Sequence, residues 1–120
     1  MLVVRGHGSA PAWGGAAVAI GNFDGVHLGH RALIDRACAF AEATADTQPI
    51  ALTFEPHPAA ITSSKGAPAR LTTPARRLEL LRDAGLAATV IEPFTQDLAA
   101  TSAEAFVETI VDFLRVEGGL

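Results

Sequence analysis

Hydrophobic positions along the chain fall into two alternating patterns. Three short, nearly unbroken runs, Ala16 to Ile20, Ile50 to Phe54 and Ala87 to Ile91, have the length and composition of strands buried on both faces of a parallel sheet. Elsewhere the spacing lengthens to three and four. Leu33, Ala37, Phe40 and Ala41 follow Gly29; Leu78, Leu81 and Ala84 follow Thr73-Pro74; Phe106, Val107, Ile110, Phe113 and Leu114 follow Thr101. Each set turns one face of a helix toward a core. Thr73 is a cap with proline at the first helical position, Gly85 is a stop, and Thr101 with Glu104 has capping-box spacing.

The ends and one internal stretch lack such periodicity. Residues 1–15 read as a loosely attached lead-in in which Leu2 to Arg5 can form a short edge strand, His7 is a solvated loop residue and Trp13 covers the edge of the core. Ala60 to Thr72 reads as an exposed loop. The alternation of strand and helix predicts an α/β fold, a Rossmann-like parallel sheet with helices on both faces and right-handed crossovers. Val116 to Leu120, with two glycines, carries no strand signal where such a fold adds one. The sheet is therefore expected to be incomplete at its C-terminal side, leaving an edge open to self-association.

Composition narrows the functional classes. A chain of 120 residues that is 49% hydrophobic is one domain's worth of globular material. Nine Lys and Arg against thirteen Asp and Glu give a net charge of −4, which offers no basic field for nucleic acid. The single cysteine, Cys38, cannot form an internal disulfide and reads as a small core filler beside the first helical stripe. No run approaches the roughly 20 apolar residues of a membrane helix, and no secretory signal pattern opens the chain. The expectation is a soluble, cytoplasmic protein with no membrane partner.

Candidate chemistry concentrates in Gly21-Asn22-Phe23-Asp24-Gly25-Val26-His27-Leu28-Gly29-His30, between the first buried strand and the first helix. In an open α/β sheet, ligands bind beyond the carboxyl ends of the strands, where helix amides and dipole favour an anion. Gly21, Gly25 and Gly29 permit tight turns and close backbone approach, and His27 and His30 both project near the helix start. These groups converge on a phosphate-sized ligand. His-x-x-His without a third ligand makes a poor zinc site, and a local structural role for both imidazoles is the plain alternative. No P-loop, nucleophile elbow or activated cysteine appears. Asp24 fits either an Asx-turn or a group that orients a histidine or a metal-bound water, and Phe23 reads as a packing anchor.

GNFDGVHLGHRALI resembles the signature of the His-x-Gly-His nucleotidyltransferase superfamily, in the wording of its bacterial FAD synthetase branch, the FMN adenylyltransferases. TFEPHP, Thr53 to Pro58, resembles that branch's second motif, and RLTTPARRLELLRDAG and EPFTQDLAATSAEAFVETIV resemble the segments that follow. The similarity runs from about Trp13 to about Val111.

The resemblance implies a reaction in which an FMN phosphate oxygen attacks the α-phosphorus of ATP, releasing pyrophosphate and giving FAD. Its cofactor set is ATP with Mg2+ carried on the phosphates, FMN as second substrate and no protein metal site. By resemblance, His27 and His30 hydrogen-bond phosphate oxygens and stabilise developing charge. Gly21, Asn22, Phe23, Asp24, Gly25 and Gly29 line the nucleotide, and Phe54, Pro56, His57 and Pro58 form a corner facing the same crevice with nucleotide and flavin contacts. His57 can also be a solvated loop residue. The family's later Gly-x-Asp-Phe-x-Phe-Gly and Ser-Ser-Thr/Ser-x-Ile-Arg motifs and its riboflavin kinase domain find no match here, so residues 1–120 correspond to part of an adenylyltransferase domain with weak or no turnover by itself. A non-catalytic nucleotide-binding remnant stays open, as does another member of the superfamily, although Gly-x-Phe-Asp-Gly with TFEPHP speaks against the latter.

Overall fold

A computed structural model of the protein describes residues 1–23, 28–55, 73–114 and 116–119. Five parallel strands form one sheet: β1 (Leu2–Arg5), β2 (Gly15–Ile20), β3 (Thr47–Glu55), β4 (Ala88–Pro93) and β5 (Val116–Gly119), in the order β1-β4-β3-β2-β5. The described helices are α1 (Leu28–Ala43), α2 (Pro74–Asp83), the short α3 (Gln96–Ala100) and α4 (Ala103–Leu114).

Alternation along the strands divides the core into two layers. Ala17, Ala19 and Ala51 face Ile34, Ala37 and Ala41 of α1 and Leu81 and Ala84 of α2. Small side chains on the sheet allow α1 to approach closely, and the buried Phe23, Ile34 and Leu86 fill the remaining volume. The opposite face carries Ala16, Val18, Ile50, Leu52, Ala88 and Val90 against Ile110 of α4, with Trp13 and Phe106 packed at the margin. Helices therefore cover both faces, as the strand pattern requires.

Several local expectations change. Phe40 is exposed rather than buried, because it lies roughly 120° round α1 from Ile34 and the buried stripe runs through Ala37, Cys38 and Ala41. Ser102, not Thr101, caps α4: its Oγ accepts from the Ala105 amide at 3.1 Å, while Thr101 ends α3 and donates to the Asp97 carbonyl. Among the described side chains of α4 only Ile110 is fully buried, and Val107 and Val111 are exposed. The side chains of Phe113 and Leu114 and the loop 60–72 lie outside the described residues.

The lead-in is not loose. Leu2 to Arg5 does form an edge strand, paired in register with Ala88 to Ile91, and the turn His7–Ser9 is tied down by Glu92. The His7 amide donates to Glu92 Oε2 at 3.2 Å, and His7 Nδ1 lies 2.7 Å from the same oxygen. His7 is thus a half-buried hydrogen-bond partner of Glu92 rather than a solvated loop residue.

The C-terminal expectation is also corrected. Val116–Gly119 adds a strand beside β2, pairing Ala16 with Val116 and then, across an irregularity, Ala17 with Gly118. Backbone pairing overrides the poor strand propensity of two glycines. This strand moves the open sheet edges to β1 and β5 and creates a reversal: β2, β3 and β4 step one way along the sheet, and β5 returns to the other side of β2.

Candidate functional site

Strand order reverses at β2, and the carboxyl end of the strand at such a point is the ordinary ligand position in open α/β sheets. Gly21 to Phe23 leave the sheet there. The Gly21 amide makes the last rung to β3, donating to the Leu52 carbonyl at 3.0 Å. A Cβ at Gly21 would lie in van der Waals contact with the Phe23 ring at 3.4 Å, which places that ring directly beside the end of β2.

Phe23 is fully buried and sits in the left-handed backbone region, with φ +55°. Non-glycine residues adopt that conformation only when surroundings hold them in it. Two side chains supply the hold from the preceding residue: the Asn22 carbonyl accepts from Thr53 Oγ1 at 3.3 Å and from Arg77 Nη1 at 3.2 Å. Phe23 in turn meets His30 edge-on, with ring centroids 5.1 Å apart. His30 is the third residue of α1 and half-buried, and Gly29 lies beside it in the first turn. Asp24, Gly25 and His27 lie outside the described residues.

Arg77 was hidden in the sequence by its charge, which reads as a solvated helix face. It is only 5% exposed, and Nη2 donates to Glu55 Oε2 at 3.2 Å. Its register was the available signal: Arg77, Leu81 and Ala84 follow the same i, i+4, i+7 stripe. Among the described residues, Asn22 Oδ1 and Arg77 Nε are buried polar atoms with no hydrogen-bond partner. The Asn22 carbonyl already accepts twice, and its side-chain oxygen is an open acceptor among these residues.

Phe54 lies elsewhere than expected. Alternation along β3 sends Thr53 and Glu55 toward α2 but Phe54 with Leu52 to the α4 side, so Phe54 does not share the His30 and Arg77 face. There it meets Phe94 at 5.6 Å and Phe106 at 5.8 Å between ring centroids. These three rings, with Leu98, Thr101 and Ala103, line a cavity of about 240 Å³. Pro56, His57 and Pro58, which continue this corner, lie outside the described residues. Among the described residues no three His, Cys, Asp or Glu side chains converge as a metal cage.

Residues 9–118 match the family model of FAD synthetase. The chain belongs to the FAD synthetase family. It is 36% identical over 105 residues to the bifunctional riboflavin kinase/FMN adenylyltransferase of Escherichia coli K12, covering 86% of this chain and 33% of that protein. The protein of the same description from Pseudomonas fluorescens is 37% identical over 119 residues, covering 98% of this chain and 38% of its own length. The chain thus spans little more than a third of the relatives it matches. A crystal structure of a macrolide-efflux protein from Streptococcus pneumoniae superimposes with a TM-score of 0.80 at 20% identity, covering 97% of this chain and 39% of that one. That likeness supports the fold alone, an α/β sheet of Rossmann type.

Proposed function

We propose that this FAD synthetase domain carries the nucleotide site of an FMN adenylyltransferase, transferring AMP from ATP to FMN to give FAD and pyrophosphate. The observation that carries the proposal is His30 in the first turn of α1, braced by a buried Phe23 at the carboxyl end of β2. Helix-start amides and imidazole donors suit the phosphates of a nucleotide. FMN brings a phosphate already ionised at neutral pH, so its oxygen can bond to the α-phosphorus as the bond to pyrophosphate breaks, with no base needed on the protein. Positioning and charge stabilisation then account for the rate.

In this reading His27 and His30 donate to ATP phosphate oxygens, the segment Gly21 to Gly25 with Gly29 follows the nucleotide, and Asn22 Oδ1 accepts from a nucleotide hydroxyl or amine. Mg2+ rides on the phosphates. The aromatic cavity of Phe54, Phe94 and Phe106 suits the flavin ring system, and Pro56, His57 and Pro58 continue that corner. Net charge −4 and the absence of a described helix long and apolar enough to cross a membrane fit small-molecule substrates in the cytoplasm rather than nucleic acid or lipid. The exposed Leu2 and Val3 of edge strand β1 are the surface for any self-association.

Calorimetric titration of MgATP tests the assignment. Replacing His27 and His30 together by alanine is expected to weaken binding by about 1.5 to 3 kcal/mol per lost charge-assisted contact. Unchanged affinity would overturn it.

A further inference from the structure

We propose that Arg77 is a positioning residue of this site: it holds the Asn22-Phe23 turn in its left-handed form and thereby sets the orientation of His30. The inference rests on the nucleotide-site reading above only for its consequence on ATP binding.

Arg77 occupies the position of an apolar residue. Its stripe continues through Leu81 and Ala84 into the core, and the residue is 5% exposed. Burying a guanidinium is costly even when it is paired, and well-packed apolar residues often replace buried ion pairs without loss of stability. Stability alone is therefore a weak reason for an arginine here. What only the forked guanidinium does is reach two elements at once: Nη1 donates to the Asn22 carbonyl and Nη2 to Glu55 Oε2, tying the carboxyl ends of β2 and β3 to α2.

That tie falls where the backbone is strained. Asn22 immediately precedes Phe23 at φ +55°, and a left-handed phenylalanine persists only if its neighbours over-determine it. Thr53 Oγ1 is the second donor to the same carbonyl, and the Phe23 ring is fully enclosed. From Phe23 the constraint passes directly to His30 through the edge-on contact at 5.1 Å. Arg77, the Asn22 carbonyl, Phe23 and His30 form one contiguous chain of contacts. Arg77 acts through it without touching the reacting atoms.

Two readouts separate this role from simple stabilisation. In the ligand-free chain, NMR signals of the His30 ring report the Phe23 contact, because an aromatic ring 5.1 Å away shifts them. In the titration, MgATP affinity reports the consequence. Arg77→Met, measured where its circular dichroism shows it folded, is expected to move the His30 ring signals toward those of an unstructured histidine and to weaken MgATP about tenfold. Arg77→Lys can serve only one of the two acceptors at a time and should recover part of both effects; it carries the same readouts if the methionine variant fails to fold. A variant that melts earlier but leaves the His30 signals in place overturns the proposal. Displaced His30 signals in a chain whose wild type does not bind MgATP sustain the positioning role and refute the nucleotide reading.

Discussion

The Phe23 ring stands edge-on to the His30 imidazole at 5.1 Å while its own backbone is left-handed, so one buried side chain joins the end of β2 to the first turn of α1. Truncation should therefore act on fold and site together. Phe23→Ala is expected to cost about 3 to 5 kcal/mol in denaturant unfolding. Gly21→Ala should cost much less and leave the site in place, since its new Cβ would reach only van der Waals contact with the ring at 3.4 Å. A Gly21→Ala protein with lost stability or shifted His30 signals would show that the turn is more tightly confined.

The His7–Glu92 pair ties the N-terminal turn to β4. Glu92 is buried and His7 half-buried, so removing the imidazole takes the closest partner from a desolvated carboxylate and leaves it the backbone amide of residue 7. His7→Ala should destabilise the fold by about 1 to 3 kcal/mol, read by thermal or denaturant melting. Nucleotide affinity should not change, because this pair lies on the α4 side of the sheet rather than beside His30. A loss of MgATP binding without loss of stability would contradict that separation.

Much of the architecture was legible because it follows from periodicity. The runs Ala16 to Ile20, Ile50 to Phe54 and Ala87 to Ile91 all became inner strands, and Thr73-Pro74 starts a helix with Thr73 Oγ1 accepting from the Arg76 amide. Illegible features broke the pattern for identifiable reasons. Val116-Glu117-Gly118-Gly119 has almost no strand propensity and is recruited by the free edge of β2. Five residues at Gln96–Ala100 are too few for a periodic signal. Arg77 and Glu92 are charged residues at core positions, and a reading that sorts residues by polarity sends both to the surface. Of the candidate site, the anchoring role of Phe23 was readable, whereas Phe54 shows how alternation places neighbours in one motif on opposite faces.

Gly85 closes α2 in a Schellman arrangement. Its amide donates to the Arg82 carbonyl at 3.0 Å and that of Leu86 reaches the Leu81 carbonyl at 3.5 Å, with φ +106° at Gly85 itself. Gly85→Ala would be strained in that conformation and would bring a methyl group to 3.5 Å from Cys38 Sγ, a cost of about 1 to 3 kcal/mol in unfolding free energy. The neighbouring thiol gives an independent check. Burial, then the negative charge of Asp35, pushes the Cys38 thiol up from its ordinary range, against a smaller opposing effect of Arg31. It is therefore protonated at neutral pH, and alkylation by iodoacetamide should be slower than that of free cysteine and rise with pH. Gly85→Ala should speed the reaction by loosening the packing over Cys38.

Separation of the two sheet faces yields the sharpest functional expectation. His30 and Arg77 stand on the α1 and α2 side of β3, whereas Phe54 packs on Phe94 and Phe106 on the α4 side. If the nucleotide takes the first and the flavin ring the second, substitutions in the aromatic cavity must discriminate between ligands. Phe106→Ala removes one wall of a cavity of about 240 Å³. Aromatic contacts are worth roughly 0.5 to 1.5 kcal/mol beyond buried area, so FMN affinity should fall by at least severalfold. Phe106 is only half-buried, and the fold should tolerate its loss at a lower cost than Phe23→Ala. Flavin fluorescence quenching measures the FMN effect, and calorimetry with MgATP supplies the control, which should match wild type. Equal loss of both ligands would mean that the rings support the fold rather than the flavin; unchanged FMN binding would remove the cavity from the site.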